Sequence, residues 1–417
     1  MKLFFLLPIS ILLTSFIPGS KTDSIVHEHS ISPVTAHKKG LTLNEANSYI
    51  SDTDNQEKEK DKTALKPSWD NKEFSYNGKK LKFKTNTYGE KPADGRSLYI
   101  SLHGGGGTTA AVNDGQWNNQ VFMTSDQPNM YNIKEGVVIV PRAPTDSWNM
   151  WFQDEVYVLL EQAIRAATLF ADVNPDKVYV MGYSAGGDGI FRLATYMADH
   201  WAAAAMSAGH PGETTPANLR NIGFALNMGG KDDAYKRNEL AAEWKQKLNK
   251  LQTEDPSGYK HMVNIFADKP HWMKMEDKIA IPFISGFKRQ PYANTIVWEQ
   301  NSSHVQRFFY WLGISETDAK TIKTAENSPK TIQVSYVGNT INIKDNFAGE
   351  LYLYLNDKML DLDKKVVVTY KGKQIFKGKV KRSRNVISQT AAERKDSAYI
   401  FAAKLTVSNN AKVLIAD

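Results

Sequence analysis

The sequence predicts an α/β fold: a doubly wound, mostly parallel sheet, followed by a small all-β, sandwich-like module. Three observations predict it. Between residues 67 and 315, short apolar runs of strand length alternate with stretches of helical period. Past residue 325 the texture changes to short β-branched and aromatic runs separated by turns such as Gly338-Asn339 and Lys371-Gly372-Lys373. The 417 residues, 41% hydrophobic and 23% charged, suffice for two cored domains and exclude wholesale disorder or a collagen-like repeat.

Taken in order, the chain opens with Met1-Lys2 and an apolar run, Leu3 to Leu13, that fades by Pro18-Gly19-Ser20. Pro8 and Ser10 interrupt a run already too short to span a bilayer, so residues 1–20 are expected to be a cleaved signal peptide. That implies a secreted or periplasmic protein. With no cysteine, a lipoprotein anchor, disulfides, thiolate zinc sites and Cys nucleophiles are excluded. Residues 21–66 are polar, and the mixed charges from Asp52 to Lys62 predict a solvated helix or linker.

Within 67–315, Leu98 to Leu102, Val137 to Val140, Val178 to Met181, Ala202 to Met206, Phe224 to Met228 and Met262 to Phe266 read as buried strands. Glu155 to Phe170, Gly187 to His200 and Tyr235 to Leu251 carry helical periodicity. In such sheets a ligand site lies beyond the carboxyl ends of the strands. In 325–417, Ile332 to Tyr336, Thr340 to Ile343, Leu351 to Tyr354, Val366 to Tyr370 and Ile400 to Val407 read as the strands of the β module.

The chemistry gathers at the strand ends. Gly182-Tyr183-Ser184-Ala185-Gly186 follows one strand and opens a helix, the setting of a nucleophile elbow that presents Ser184. After an earlier strand comes His103-Gly104-Gly105-Gly106-Gly107. Glycines there let backbone N–H groups approach a developing oxyanion, and the expected donors are Gly105 and Ala185. No Gly-Lys-Ser/Thr follows, so a phosphate cradle fails. A serine hydroxyl needs a base, and the base an orienting carboxylate. The strand ending at Met228 runs into Gly229-Gly230-Lys231-Asp232-Asp233, where loop position favours Asp232 and Asp233 is the alternative, or a helix N-cap. The next strand leads to His271 in Asp268-Lys269-Pro270-His271-Trp272, the expected base. The rival His304 is read as opening a helix with no strand before it. Neither a metal nor an organic cofactor is required.

Candidate substrate contacts are His103, which also braces the glycine loop, Trp117, Trp148, Trp151, His210 and Trp272. The neighbouring Asn113, Gln116, Asn118, Asn119, Gln120, Asn149 and Gln153 suit sugar hydroxyls, or else simply pack their loops. About 15 residues separate Ser207 from the strand at Phe224, too few for a large helical lid, so an open cleft is expected.

These residues resemble the α/β-hydrolase superfamily, in the extracellular esterase branch that includes feruloyl esterases and polyhydroxyalkanoate depolymerases. The match covers about 95 to 312, through the His103 to Gly107 run, Gly182 to Gly187, the Asp232 loop and His271. The resemblance implies a carboxylic ester hydrolase and supplies no substrate; the amide- and indole-rich loops and the expected open cleft are what point to a bulky or polysaccharide-linked ester. Many feruloyl esterases carry cysteines that staple the site; this chain has none, so an acyl preference does not transfer. A serine peptidase uses the same residues, and a non-catalytic polysaccharide-binding protein on a hydrolase scaffold is the reading from another class.

The formal charge of +7 is unevenly spread: residues 320–417 hold 18 Lys+Arg against 9 Asp+Glu. The basic residues Lys371, Lys373, Lys377, Lys379, Lys381, Arg382 and Arg384 predict either a solvated strand face or a contact with acidic glycan or envelope. No motif accompanies them that would point to nucleic acid. The sequence carries no signal of oligomeric state.

Overall fold

Thr42 and Glu45 form a reciprocal capping box that starts helix α1 (Leu43–Asp70). Pairs such as Lys62–Glu59 and Lys66–Asp70 stitch its exposed surface. The computed structural model describes residues 40–416 apart from 126, 128 and 325–329; the expected signal peptide lies outside the described residues. The mixed-charge run is therefore a helix, but one docked along one side. Asp61 pairs with Arg165 at 2.9 Å, and Lys395 reaches Glu57 at 2.8 Å and Asp61 at 3.2 Å. Charges read as solvating thus tie two distant parts of the chain together.

The main sheet has eight strands: β1 (Glu73–Tyr76), β2 (Lys79–Tyr88), β3 (Arg96–Leu102), β4 (Gly136–Pro141), β5 (Val173–Tyr183), β6 (Ala203–Ser207), β7 (Gly223–Gly229) and β8 (His261–Phe266). Their order is β1-β2-β4-β3-β5-β6-β7-β8. Pairing is antiparallel for β1 with β2 and β2 with β4, and parallel from β4 to β8. Between strands run α2 (Ala110–Met123), α3 (Asp154–Phe170), α4 (Ala185–Tyr196) and α5 (Arg237–Glu254); α6 (Ala280–Ile284) follows β8. Alternate residues of β3 face opposite layers. Leu98, Ile100 and Leu102 join the core under α3 and α4, whereas Tyr99 joins Tyr179, Val138 and Ile284 on the other face.

The remaining strands are β9 (Thr295–Gln300), β10 (Phe308–Phe309), β11 (Leu312–Ile314), β12 (Lys330–Val337), β13 (Thr340–Asp345), β14 (Glu350–Leu355), β15 (Val366–Tyr370), β16 (Lys373–Gly378), β17 (Ala403–Ser408) and β18 (Val413–Ile415). They form two five-stranded sheets, β16-β15-β13-β12-β9 and β10-β11-β14-β17-β18. Ile332, Val334, Ile341 and Val368 of one share a buried cluster with Leu312, Leu351, Leu353 and Leu405 of the other. Strands β9 to β11 precede residue 315 yet belong to these sheets, because β9 pairs with β12 and β11 with β14. Two helices accompany them, α7 (Glu316–Thr324) and α8 (Arg384–Arg394).

A buried ion network joins the two parts. Asp199 contacts His200 at 2.9 Å and Arg394 at 3.2 Å, and Arg289 holds Asp396 at 2.5 Å and Asp176 at 3.0 Å. Burial opposes charge on His200, but Asp199 and Glu161 raise its pKa to about 10, so it stays cationic. The described residues pack as one unit.

Candidate active site

Strand β5 ends at Tyr183 and α4 begins at Ala185, so Ser184 must turn the chain alone. It does so at φ 57°, ψ −120°, a strained conformation for a residue with a Cβ. The flanking glycines are required by contact. A Cβ on Gly182 would lie 2.6 Å from the Gly186 carbonyl oxygen, and one on Gly186 would overlap the Leu102 carbonyl.

Three loops converge on Ser184. The β8–α6 connection brings His271 Nε2 to 3.0 Å from Ser184 Oγ. The β7–α5 loop brings Asp232 Oδ2 to 2.6 Å from His271 Nδ1. Nδ1–H therefore donates to Asp232, which leaves Nε2 as the acceptor facing the hydroxyl. Asp232 is buried, whereas the His271 side chain is 42% exposed. Asp233 is exposed and its side chain caps no helix, so Asp232 occupies the position next to the histidine.

The third loop follows β3. Asn113 Oδ1 accepts the Gly106 N–H at 2.9 Å, and a Cβ on Gly105 (φ +106°) would overlap that oxygen. Among the described residues, the Gly105 and Ala185 amides have no acceptor. His103 is fully buried: Nδ1–H donates to the Gly104 carbonyl at 2.6 Å, and Nε2 accepts the Ala143 N–H at 3.1 Å. Burial lowers its pKa to about 4, so it is neutral.

Other expected contacts are also corrected by burial. His103 and Trp151 cannot meet a substrate; Trp151 is fully buried and its indole N–H donates to the His103 carbonyl at 2.9 Å. Trp117 packs beside the far-face core and donates to the Val140 carbonyl. Asn113 and Gln120 are buried, and Gln153 is spent on Thr145, Ser147 and Asn149. These aromatic and amide side chains satisfy neighbouring backbone and side-chain groups rather than solvent. Trp148 and Trp272 are exposed, at 66% and 43%, and His210 is half-buried. His304 opens no helix; it follows β9, stacks on Tyr157 at 3.8 Å and contacts Asp154. Arg382 of the basic run is buried between Asp357 and Asp363. Lys373 and Lys377 lie on the edge strand β16, where lysines discourage pairing with another sheet.

Sequence reasoning missed Tyr183. Its hydroxyl donates to the His271 carbonyl at 2.6 Å and accepts the Met273 N–H at 2.8 Å, fastening the histidine loop to the elbow strand. It also missed Asp277, a buried carboxyl that accepts from Ser207 at 3.0 Å. Nothing in a Tyr within G-x-S-x-G, or in a lone Asp, signals these contacts.

The strand order and the strained serine between β5 and α4 decide the fold. This is an α/β-hydrolase fold. No family model and no curated protein matches the chain. Solved structures similar to this hydrolase fold include a thermostable esterase, at 18% identity and TM-score 0.42, covering 52% of this chain. The chain spans 62% of that esterase's length. A ferulic acid esterase matches at 15% identity and TM-score 0.34, covering 49% of this chain and 97% of its own. The serine hydrolase FphF of Staphylococcus aureus matches at 12% and 0.34, covering 51% and 96%. Among the described residues, no helix is long and apolar enough to cross a membrane.

Proposed function

We propose that this protein is an exported serine hydrolase, a carboxylesterase that cleaves bulky or polysaccharide-linked esters through an acyl-enzyme. The observation that carries the reading is the hydrogen-bonded line from Ser184 through His271 to Asp232, at 3.0 and 2.6 Å, on a strained elbow. In this mechanism His271 Nε2 takes the Ser184 proton as Oγ attacks the ester carbonyl, and Asp232 stabilises the imidazolium. The Gly105 and Ala185 amides receive the oxyanion. His271 then protonates the leaving alcohol, and water, deprotonated by the same ring, releases the acid. The exposure of Trp148, Trp272 and His271 supports an open mouth that admits a large alcohol or acyl group.

The test is labelling with a fluorophosphonate and turnover of aryl acetates, aryl esters of bulkier acids, acetylated polysaccharide and peptide anilides. The wild type should label on Ser184 and cleave esters, and Ser184→Ala should lose labelling and at least about 10³-fold in kcat. Full ester turnover by Ser184→Ala would refute the mechanism. Preferential cleavage of anilides would make the protein a peptidase.

A further inference from the structure

Arg192, in the second turn of the helix α4 that Ser184 opens, has a side chain only 5% exposed. Its Nε and Nη2 donate to Glu213 at 3.2 and 2.7 Å, and Nη1 donates to the carbonyls of Asp188 and His210 at 3.0 and 3.4 Å. The guanidinium carbon Cζ lies 3.9 Å from the centroid of the Phe152 ring. Glu213 and His210 belong to the β6–β7 connection, and Phe152 to the loop before α3.

Each wall carries a cleft feature. Phe152 packs edge-on against the exposed Trp148, 5.3 Å away, and Trp148 lies against Gly107 of the glycine loop. On the other wall the His210 N–H donates to Asp188 Oδ1 at 2.6 Å, and the Gly212 N–H donates to His210 Nδ1 at 3.0 Å. Nδ1 is thus an acceptor, and the ring proton sits on Nε2. Gly212 (φ +56°) closes so tightly over the guanidinium that a Cβ there would overlap it. A planar fork can chelate a carboxylate and stack on a ring at once; an ammonium cannot.

We propose that Arg192 is a positioning residue that couples the Phe152–Trp148 wall to the His210–Glu213 wall and so sets which esters the cleft accepts. This rests on the serine-hydrolase reading above. Phe152 and Glu213 communicate through one side chain, so their energetic effects depend on each other only while Arg192 is present.

The experiment measures kcat/KM for p-nitrophenyl acetate and p-nitrophenyl benzoate, two esters with the same leaving group. Arg192→Lys should lower the benzoate-to-acetate ratio about tenfold, mainly through KM. Phe152→Leu and Glu213→Gln should each lower it, and together deviate from additivity by about threefold or more. In the Arg192→Lys background the two should become additive. Additive effects in the wild-type background, or an unchanged ratio in a folded Arg192→Lys with lowered Tm, overturn the proposal. A wild type that turns over neither ester overturns the hydrolase reading, and the proposal with it.

Discussion

Tyr183→Phe removes one oxygen from beneath the histidine loop. The phenol is buried, which pushes its pKa well above the usual range, so the hydroxyl stays protonated and donates to His271 while accepting from Met273. Met273 is fully buried, and without the phenol its N–H has no acceptor among the described residues. An unsatisfied buried donor costs about 1–3 kcal/mol, whereas the carbonyl of the half-exposed His271 can regain water. The expected fall in Tm is roughly 1–4 °C. The larger effect is on chemistry: His271 Nε2 stands 3.0 Å from Ser184, and a 1 Å displacement of such a group costs about 10²-fold. Thermal melts and steady-state kinetics on p-nitrophenyl acetate should show kcat reduced about 10- to 100-fold with KM nearly constant. A lowered Tm with wild-type kcat would show that Tyr183 only packs, and the positioning argument would be wrong.

Two further predictions concern buried charge. Burial raises the Asp277 pKa to about 6, against about 3.9 in an unfolded chain. The unfolded state therefore ionises first, and the wild type loses stability as pH rises from about 4 through about 6, by up to about 3 kcal/mol. Asp277→Asn removes that loss, so its Tm advantage should grow over this window and then level; an advantage independent of pH would refute the assignment. Asp199→Asn should leave the Arg394 guanidinium without its buried carboxylate, and His200 with Glu161 alone, at about 3–5 kcal/mol, while unfolding stays a single transition in calorimetry. Separate melting of the two parts in the wild type would contradict the ion network as a joint between them.

Much of the site was legible because it is local. Strand-turn-helix around Ser184, glycines after β3, and a carboxylate and a histidine at the ends of β7 and β8 are all readable from hydrophobic runs and their boundaries. The strands at 98–102, 137–140, 178–181 and 224–228 appear where apolar runs placed them, because strands buried on both faces are continuously apolar, and the half-buried edge strand at 262–266 also lies where its run placed it. Strands β1 and β2 were illegible because their residues are largely polar, and the mixed-charge run of α1 was legible as a helix or linker but not in its docking, whose partners Arg165 and Lys395 lie far away in the sequence.

What the residues determine alone is chemistry and backbone: a serine that must be strained, glycines without which strands collide, a histidine and a carboxylate in the right order. The tertiary structure decides partnership. It buries His103 and Trp151, leaves Trp148 and Trp272 exposed, and assigns β9 to the sandwich although the strand precedes it in the chain. It also gathers Arg192, Phe152 and Glu213 from three segments. The physical reason is range. Backbone strain and strand ends are set by adjacent residues, whereas burial and ion pairing depend on which distant surfaces meet.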